Sequence, residues 1–213
     1  MDWLGQPLLV GARGEVLNVS WSSDPRPLNS MLLTVTPRDI RFCEQRVDVK
    51  MVTVQRAKVE EVQEIKRVLN ETWLDTYGSL LSPNTIEQAT SVWHNPERLA
   101  SQIQNPNAYF GVAKDKEKTI LGLVTARKQD DDTVVIDRLY VTPQYQRRGI
   151  GSMLLEESIT TFPGIARLIL EVEEQNKVGL SFYQKQGFRE ISRKEVRVED
   201  DILLVIEMEK EFS

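Results

Sequence analysis

A chain of 213 residues, 40% hydrophobic and 28% charged, has room for one folded domain, or one domain with an extension. It carries no apolar run near the ~18 residues of a membrane span, no secretory h-region and no Arg-rich, acid-poor transit pattern, so the expected location is cytoplasmic. Its net charge of −5 lacks the footprint of a general phosphate-backbone binder, and its single Cys43 and single His94 exclude an internal disulfide and a Cys/His zinc site. Neither nucleic acid, membrane nor metal is therefore expected as a partner.

Residues 1–50 differ from the rest. They hold Gly5, Gly11, Gly14 and four of the nine prolines, with short strand-like runs at 16–21 and 31–36 and no helical period. We treat 1–50 as an N-terminal extension of uncertain order. Met51 opens a stretch, 51–213, that reads as a domain by itself, so the first fifty residues are also open to being no part of the natural product. Residues 51–56 alternate as a half-buried strand does, and Val59, Val62, Ile65, Leu69 and Trp73 recur at helical spacing. Gly78 falls near the end of that helix. Ser82-Pro83 and Asn95-Pro96 each pair an N-cap residue with a first-turn proline. His94, between those helices, reads as a helix-end residue near the surface. Strand-like runs follow at 108–113, 120–127 and 133–141, then a helix from about 148 to 161 and a strand at 167–173. A helix at 177–186 and strands at 190–198 and 202–209 complete the order, the last two joined by Glu199-Asp200-Asp201. Strands 133–141 and 167–173 flank a helix and should pair in parallel through a right-handed crossover. The run 168–172, four apolar residues in five, suggests a strand covered on both faces. The class is a mixed α/β sheet with helices on its faces.

The most informative segment is Leu139-Tyr-Val-Thr-Pro-Gln-Tyr-Gln-Arg-Arg-Gly-Ile-Gly-Ser152. A strand ends at Val141, Pro143 stops the ladder, and Gln146, Arg147, Arg148, Gly149, Ile150 and Gly151 open a helix. Two glycines permit a tight turn and close approach of the backbone to a ligand. The helix N-terminus adds unpaired N–H groups and the positive end of its dipole, a site suited to a diphosphate. No Gly-Lys-Ser/Thr follows, so this is not a P-loop, and it is not a G-x-G-x-x-G dinucleotide turn. By itself the turn also fits an ordinary strand-turn-helix.

The whole arrangement, Gln-x-x-Gly-x-Gly after a strand ending Leu-Tyr-Val-x-Pro, resembles the acetyl-CoA motif of the GNAT superfamily of N-acetyltransferases. A second matching segment runs from Glu171 to Phe188, where Asn176 and Tyr183 stand at the positions of the family's Asn-x6-Tyr. The residue two after Asn176, often Ala in the family, is Val178 here. The likeness extends over about residues 51–213. It implies the GNAT acyl-CoA N-acyltransferase fold: a mixed, mostly antiparallel sheet with a central parallel strand pair and helices on both faces. It also implies acetyl-CoA as cosubstrate, bound by Leu139, Tyr140, Val141, Gln146–Ser152, Asn176 and Tyr183.

The resemblance suggests how an amine, almost fully protonated at neutral pH, would be acetylated. The N–H of Tyr140 or Val141 would polarise the acetyl carbonyl, and Tyr183 would be the acid for the sulfur. Tyr183 is otherwise a core aromatic beside Phe182, and Asn176 a plain helix N-cap. Asp137, on the face of Leu139 and Val141 by alternation, is a candidate base. Its other reading is an ion pair with Arg127 or Arg138. Glu173 is a second candidate, or else a solvated strand end. Trp73, Asp75 and Tyr77 fall where family members build the acceptor pocket, Trp73 and Tyr77 being also close enough to pack on each other and Asp75 a cation anchor.

The expected function is acetyl transfer from acetyl-CoA to a primary amine of a small molecule, a polyamine among the options. The alternatives are a protein N-terminal or lysine acetyltransferase and a non-catalytic CoA-binding sensor. Near the final hairpin this chain has Glu195-Val-Arg-Val-Glu-Asp-Asp where ribosomal-protein enzymes carry a Tyr-Tyr pair, which counts against that type. A homodimer is expected by family analogy alone.

Overall fold

A computed structural model describes residues 51–212. The expectations for residues 1–50 lie outside the described residues. Among the described residues seven strands form one sheet. β1 (Thr53–Arg56) leads through a short 3-10 turn into α1 (Val62–Tyr77), α2 (Pro83–Trp93) and α3 (Pro96–Gln104). Then come β2 (Ala108–Lys114), β3 (Ile120–Lys128), β4 (Thr133–Val141), α4 (Ile150–Thr161), β5 (Arg167–Glu173), α5 (Lys177–Lys185), β6 (Arg189–Val198) and β7 (Asp201–Glu211). The sheet order is β1-β2-β3-β4-β5-β7-β6, and only β4 and β5 are parallel among the described strands.

Local signals explain most of the helices. Ile65, Leu69 and Trp73 line one stripe of α1, and all three are buried. Ser82 caps α2 by accepting the Thr85 N–H at 3.1 Å. Asn95 caps α3 more fully, its Oδ1 accepting from the N–H groups of Glu97 and Arg98 at 2.9 and 3.2 Å. In both helices proline occupies the first turn, where no backbone donor is needed. α1 and α3 pack on strands β2–β4, and α4 packs on the same strands. The core lies in the two layers between them.

The register decides which residues share a face. Thr125 pairs with Arg138 and Arg127 with Val135, while Val124 pairs with Leu139 and Gly122 with Val141. Arg138 therefore stands with Val135 on one face, and Leu139 with Val141 on the other. Leu139 meets α4 at Gly151, and Arg138 bonds to Gln102 of α3 at 2.8 Å. α4 and α3 thus mark the two faces.

One expectation about β5 needs correction. Leu168, Leu170 and Val172 are buried, but Ile169 and Glu171 between them are only half-buried. The strand alternates as one fully covered on a single face does. The helices on the α3 face pack chiefly on β2–β4, which leaves the middle of that face of β5 more open.

Asn95→Ala removes two cap hydrogen bonds and should lower global stability by about 1 kcal/mol. Urea denaturation would show this as an earlier midpoint at an unchanged slope.

Candidate active site

Pairing between β4 and β5 is short. Thr133, Val134, Val135 and Ile136 face Arg167, Leu168, Ile169 and Leu170, and the ladder stops there. Beyond it β4 stays on β3 and β5 stays on β7, so a fork opens between the two strands. The register of β3 against β4 slips at the same point, Thr125 opposing Arg138 while Ala126 opposes Ile136. Asp137 is the extra residue of a bulge, and a bulge bends and re-aims its strand.

The fork leaves backbone donors without a strand partner. Thr142 N–H bonds back to Leu121 O at 2.9 Å, toward β3. Amide directions alternate along a strand, so the N–H of Tyr140 also points to β3 and those of Leu139 and Val141 point into the fork. Of the two amides expected from the sequence to polarise the carbonyl, that of Val141 points into the fork, with Leu139 N–H beside it, and that of Tyr140 does not. Buried amides demand a partner, and a ligand lying along β4 supplies one.

The cradle follows directly. Gln146 closes the turn by donating from Nε2 to Val141 O at 3.1 Å. Arg147 and Gly149 carry φ of 57° and 87°, and such left-handed residues in a turn curl successive N–H groups into an anion-binding concavity. Gly149 is the N-cap of α4, which starts two residues later than expected, and no side chain caps it. The first-turn N–H groups at Ile150, Gly151 and Ser152 therefore face outward without an intrahelical partner. Gly151 earns its place differently: a Cβ there would sit 3.3 Å from the Phe182 ring of α5. Ser152 Oγ accepts from Gln186 Nε2 at 3.0 Å, which ties α4 to the end of α5. Arg148 stacks over Tyr145, 5.4 Å from the ring centre.

On α5, Asn176 is the N-cap, its Oδ1 accepting from Gly179 N–H at 2.8 Å. Its Nδ2 is buried with no partner among the described residues. Tyr183 is fully buried, and its hydroxyl also lacks a partner there. Burial holds that phenol far above its ordinary range, with Tyr140 a lesser cause. Both orphaned groups fit a thioester cofactor whose pantetheine amides and sulfur would meet them, and the uncapped α4 turn fits its diphosphate.

Trp73, Tyr77, Tyr140, Tyr183 and Glu173 come together at the fork. Trp73 packs on Tyr77 with ring centres 4.4 Å apart, and its Nε1 donates to Tyr140 Oη at 3.0 Å. Burial pushes the Tyr140 phenol up to about 12. Tyr77, fully buried with an unpartnered hydroxyl, is raised mainly by burial and then by Tyr140, Glu173 and Tyr183. Glu173 is buried rather than solvated. Burial raises its carboxyl, against a bond from Gln175 N–H at 2.8 Å. Asp75 is half-buried at the end of α1. Burial raises it first, then Glu71, and its Oδ2 has no partner among the described residues.

Asp137 is placed elsewhere. The bulge breaks the alternation, so Asp137 lies on the α3 face with Val135 and Arg138, not on the face of Leu139 and Val141. There it accepts from Arg127 Nε at 3.1 Å. Burial still raises its carboxyl, because the two neighbouring arginines offset that cost only in part. His94 is also unlike its expectation. It caps the end of α2 but is wholly buried, 2.7 Å from Asn70 Oδ1 and edge-on to Trp73. The sequence reading missed Glu171, two residues before Glu173 on the same strand face, whose Oε1 pairs with Lys194 Nζ at 2.5 Å. Period-two alternation along β5 was the available signal.

With this geometry in view, comparison with known proteins is direct. The family model described as "Acetyltransferase (GNAT) family" matches residues 65–188. A spermidine N(1)-acetyltransferase of Thermoplasma acidophilum is 28% identical over 145 residues, 65% of this chain and 88% of that protein. A peptidyl-lysine N-acetyltransferase of Salmonella typhimurium is 41% identical over 61 residues, 29% of this chain and 40% of that protein. The crystal structure of the PaiA N-acetyltransferase from Thermoplasma acidophilum in complex with coenzyme A has a TM-score of 0.65 at 26% identity. That alignment covers 76% of this chain and 99% of the other. The chain belongs to the GNAT acetyltransferase family and is an acetyl-transferring enzyme. No helix among the described residues is long and apolar enough to cross a membrane.

Two outcomes follow. Gly149→Ala forces a side chain into a left-handed backbone and should cost about 1–2 kcal/mol while also weakening CoA binding. Gly164→Ala, at φ 79° in open space away from the cradle, should cost a similar amount in urea melts and leave CoA affinity unchanged in calorimetry. For His94, burial lowers the imidazole from 6.5 to about 3. Between those values the unfolded chain holds a proton that the folded chain lacks. His94 thus contributes stability that is full above pH 6.5 and is lost as pH falls toward 3, with a slope of at most ~1.4 kcal/mol per pH unit. Comparing wild type and His94→Gln in urea at pH 7 and pH 5 should show the variant losing less stability on acidification.

Proposed function

We propose that the enzyme transfers the acetyl group of acetyl-CoA to a primary amine of a small molecule, a polyamine being the acceptor class that its acidic groups suit. The observation that carries this reading is the meeting of Tyr183, Tyr77 and Glu173 around Tyr140 at the open end of the fork. A cationic amine entering there meets Glu173, with Asp75 at the end of α1 as a second anionic group. Trp73 and Tyr77 furnish apolar walls for its methylenes.

The chemistry balances as follows. Glu173 takes a proton from the ammonium, directly or through a water. The freed nitrogen lone pair attacks the thioester carbon, and the Val141 N–H holds the oxyanion that forms. Collapse breaks the carbon–sulfur bond as the second proton of the attacking nitrogen passes to the departing sulfur, leaving an amide and the CoA thiol. Because burial keeps Tyr183 protonated at every working pH, its hydroxyl is a hydrogen-bond donor to the departing sulfur. Glu173 then releases its proton to solvent, which restores the carboxylate. Leu139, Gln146–Ser152 and Asn176 hold the cofactor. Asp137, bonded to Arg127 and facing α3, fixes the bulge that opens the fork and takes no proton.

A peptide amine is the second reading, favoured by the local likeness to the peptidyl-lysine enzyme. Thiol release from acetyl-CoA separates the two. Spermidine should be turned over at least about tenfold faster, in kcat/KM, than a lysine peptide, a gap of ~1.4 kcal/mol in transition-state binding. Tyr183→Phe should lower kcat by about a hundredfold or more with CoA affinity unchanged. A lysine peptide preferred over spermidine would reassign the acceptor. Tyr183→Phe at wild-type rate would remove that residue from the mechanism.

A further inference from the structure

A cavity of about 470 Å³ lies between α3 and strands β2, β3 and β4. That volume is in the range of small-molecule sites, ~300–1,000 Å³. Of the described residues, neither the α4 cradle nor Tyr77, Glu173 or Tyr183 lines it. It sits beside the fork, reached from the α3 face, on the part of β4 before Leu139.

Its chemistry is specific. Ala108 and Phe110, which pair with Arg127 and Thr125, give an apolar floor. Among the described residues around them stand three guanidiniums, Arg98, Arg127 and Arg138, and one carboxylate, Asp137, which is engaged by Arg127 at 3.1 Å. Arg138 is only 2% exposed, and Gln102 Oε1 orients it at 2.8 Å. Thr125, on the same face through its pairing with Arg138, is 7% exposed, and its buried Oγ1 has no partner among the described residues. A hydroxyl left unpaired in so buried a place carries a desolvation cost that a bound acceptor atom would relieve.

We propose that this cavity is a second binding site, distinct from the acetyl-CoA fork, for a small organic anion: a carboxylate carried on a flat apolar body. Guanidinium forks match carboxylate geometry, Thr125 supplies a neutral donor, and the apolar floor takes the body. A bare phosphate leaves most of the volume and the Phe110 floor unused. A cation meets three like charges.

The test uses the full chain saturated with CoA and titrated with benzoate in a calorimeter, with benzylamine and inorganic phosphate beside it. Benzoate should bind saturably at one site, benzylamine and phosphate at least about tenfold more weakly. Thr125→Val and Arg98→Gln should each weaken benzoate about tenfold, the scale of one hydrogen bond to a charged group, while CoA affinity and acetyl transfer stay at wild type. Absence of saturable benzoate binding overturns the proposal. So does binding that CoA abolishes, which would place it in the fork, or binding that neither substitution weakens. Phosphate as tight as benzoate would reduce the site to charge alone and overturn the ligand class.

Discussion

The structure depends on an interruption. β4 and β5 share four residue pairs and then part, although both strands continue and both stay paired on their outer edges. Buried backbone groups at such an opening need partners, which water or a ligand lying along β4 can supply. The bulge at Asp137 starts the opening, and the crossover through α4 brings an uncapped helix N-terminus to its mouth. α5 then closes one side, Phe182 fitting where Gly151 has no side chain. In the proposed reaction, thioester, diphosphate and attacking amine all take their places from that one gap.

Signals local in sequence were legible. The limits of β4 and β5 follow from their apolar runs, and the starts of α2 and α3 from Ser82-Pro83 and Asn95-Pro96. The cradle could be read because turn glycines, a strand-ending proline and a helix start are all short-range features. Family resemblance supplied expectations that spacing alone did not: a CoA diphosphate at the turn and a part for Tyr183 in the chemistry.

What stayed hidden depends on contacts between distant segments. Alternation along β4 misplaces Asp137 because the bulge exists only in the register with β3. No pattern around His94 announces that Trp73 and Asn70 will enclose it. The Trp73–Tyr140 bond joins residues 67 apart. For Glu173 the sequence left a candidate base and a solvated strand end both open, and tertiary packing buries it among tyrosines. The two candidate bases, equivalent as letters, are thereby made unlike: one is held by an arginine beneath α3, the other lies in the fork.

That difference is the most direct point of attack on the account. Single-turnover acetyl transfer to spermidine should be measured at saturating acetyl-CoA for Glu173→Gln and Asp137→Asn. The account predicts that Glu173→Gln slows the chemical step by about a hundredfold or more, the usual worth of a positioned base, while Asp137→Asn leaves that step within a few-fold of wild type. The reverse order would place the base beneath α3 and contradict the assignment of the fork carboxylate.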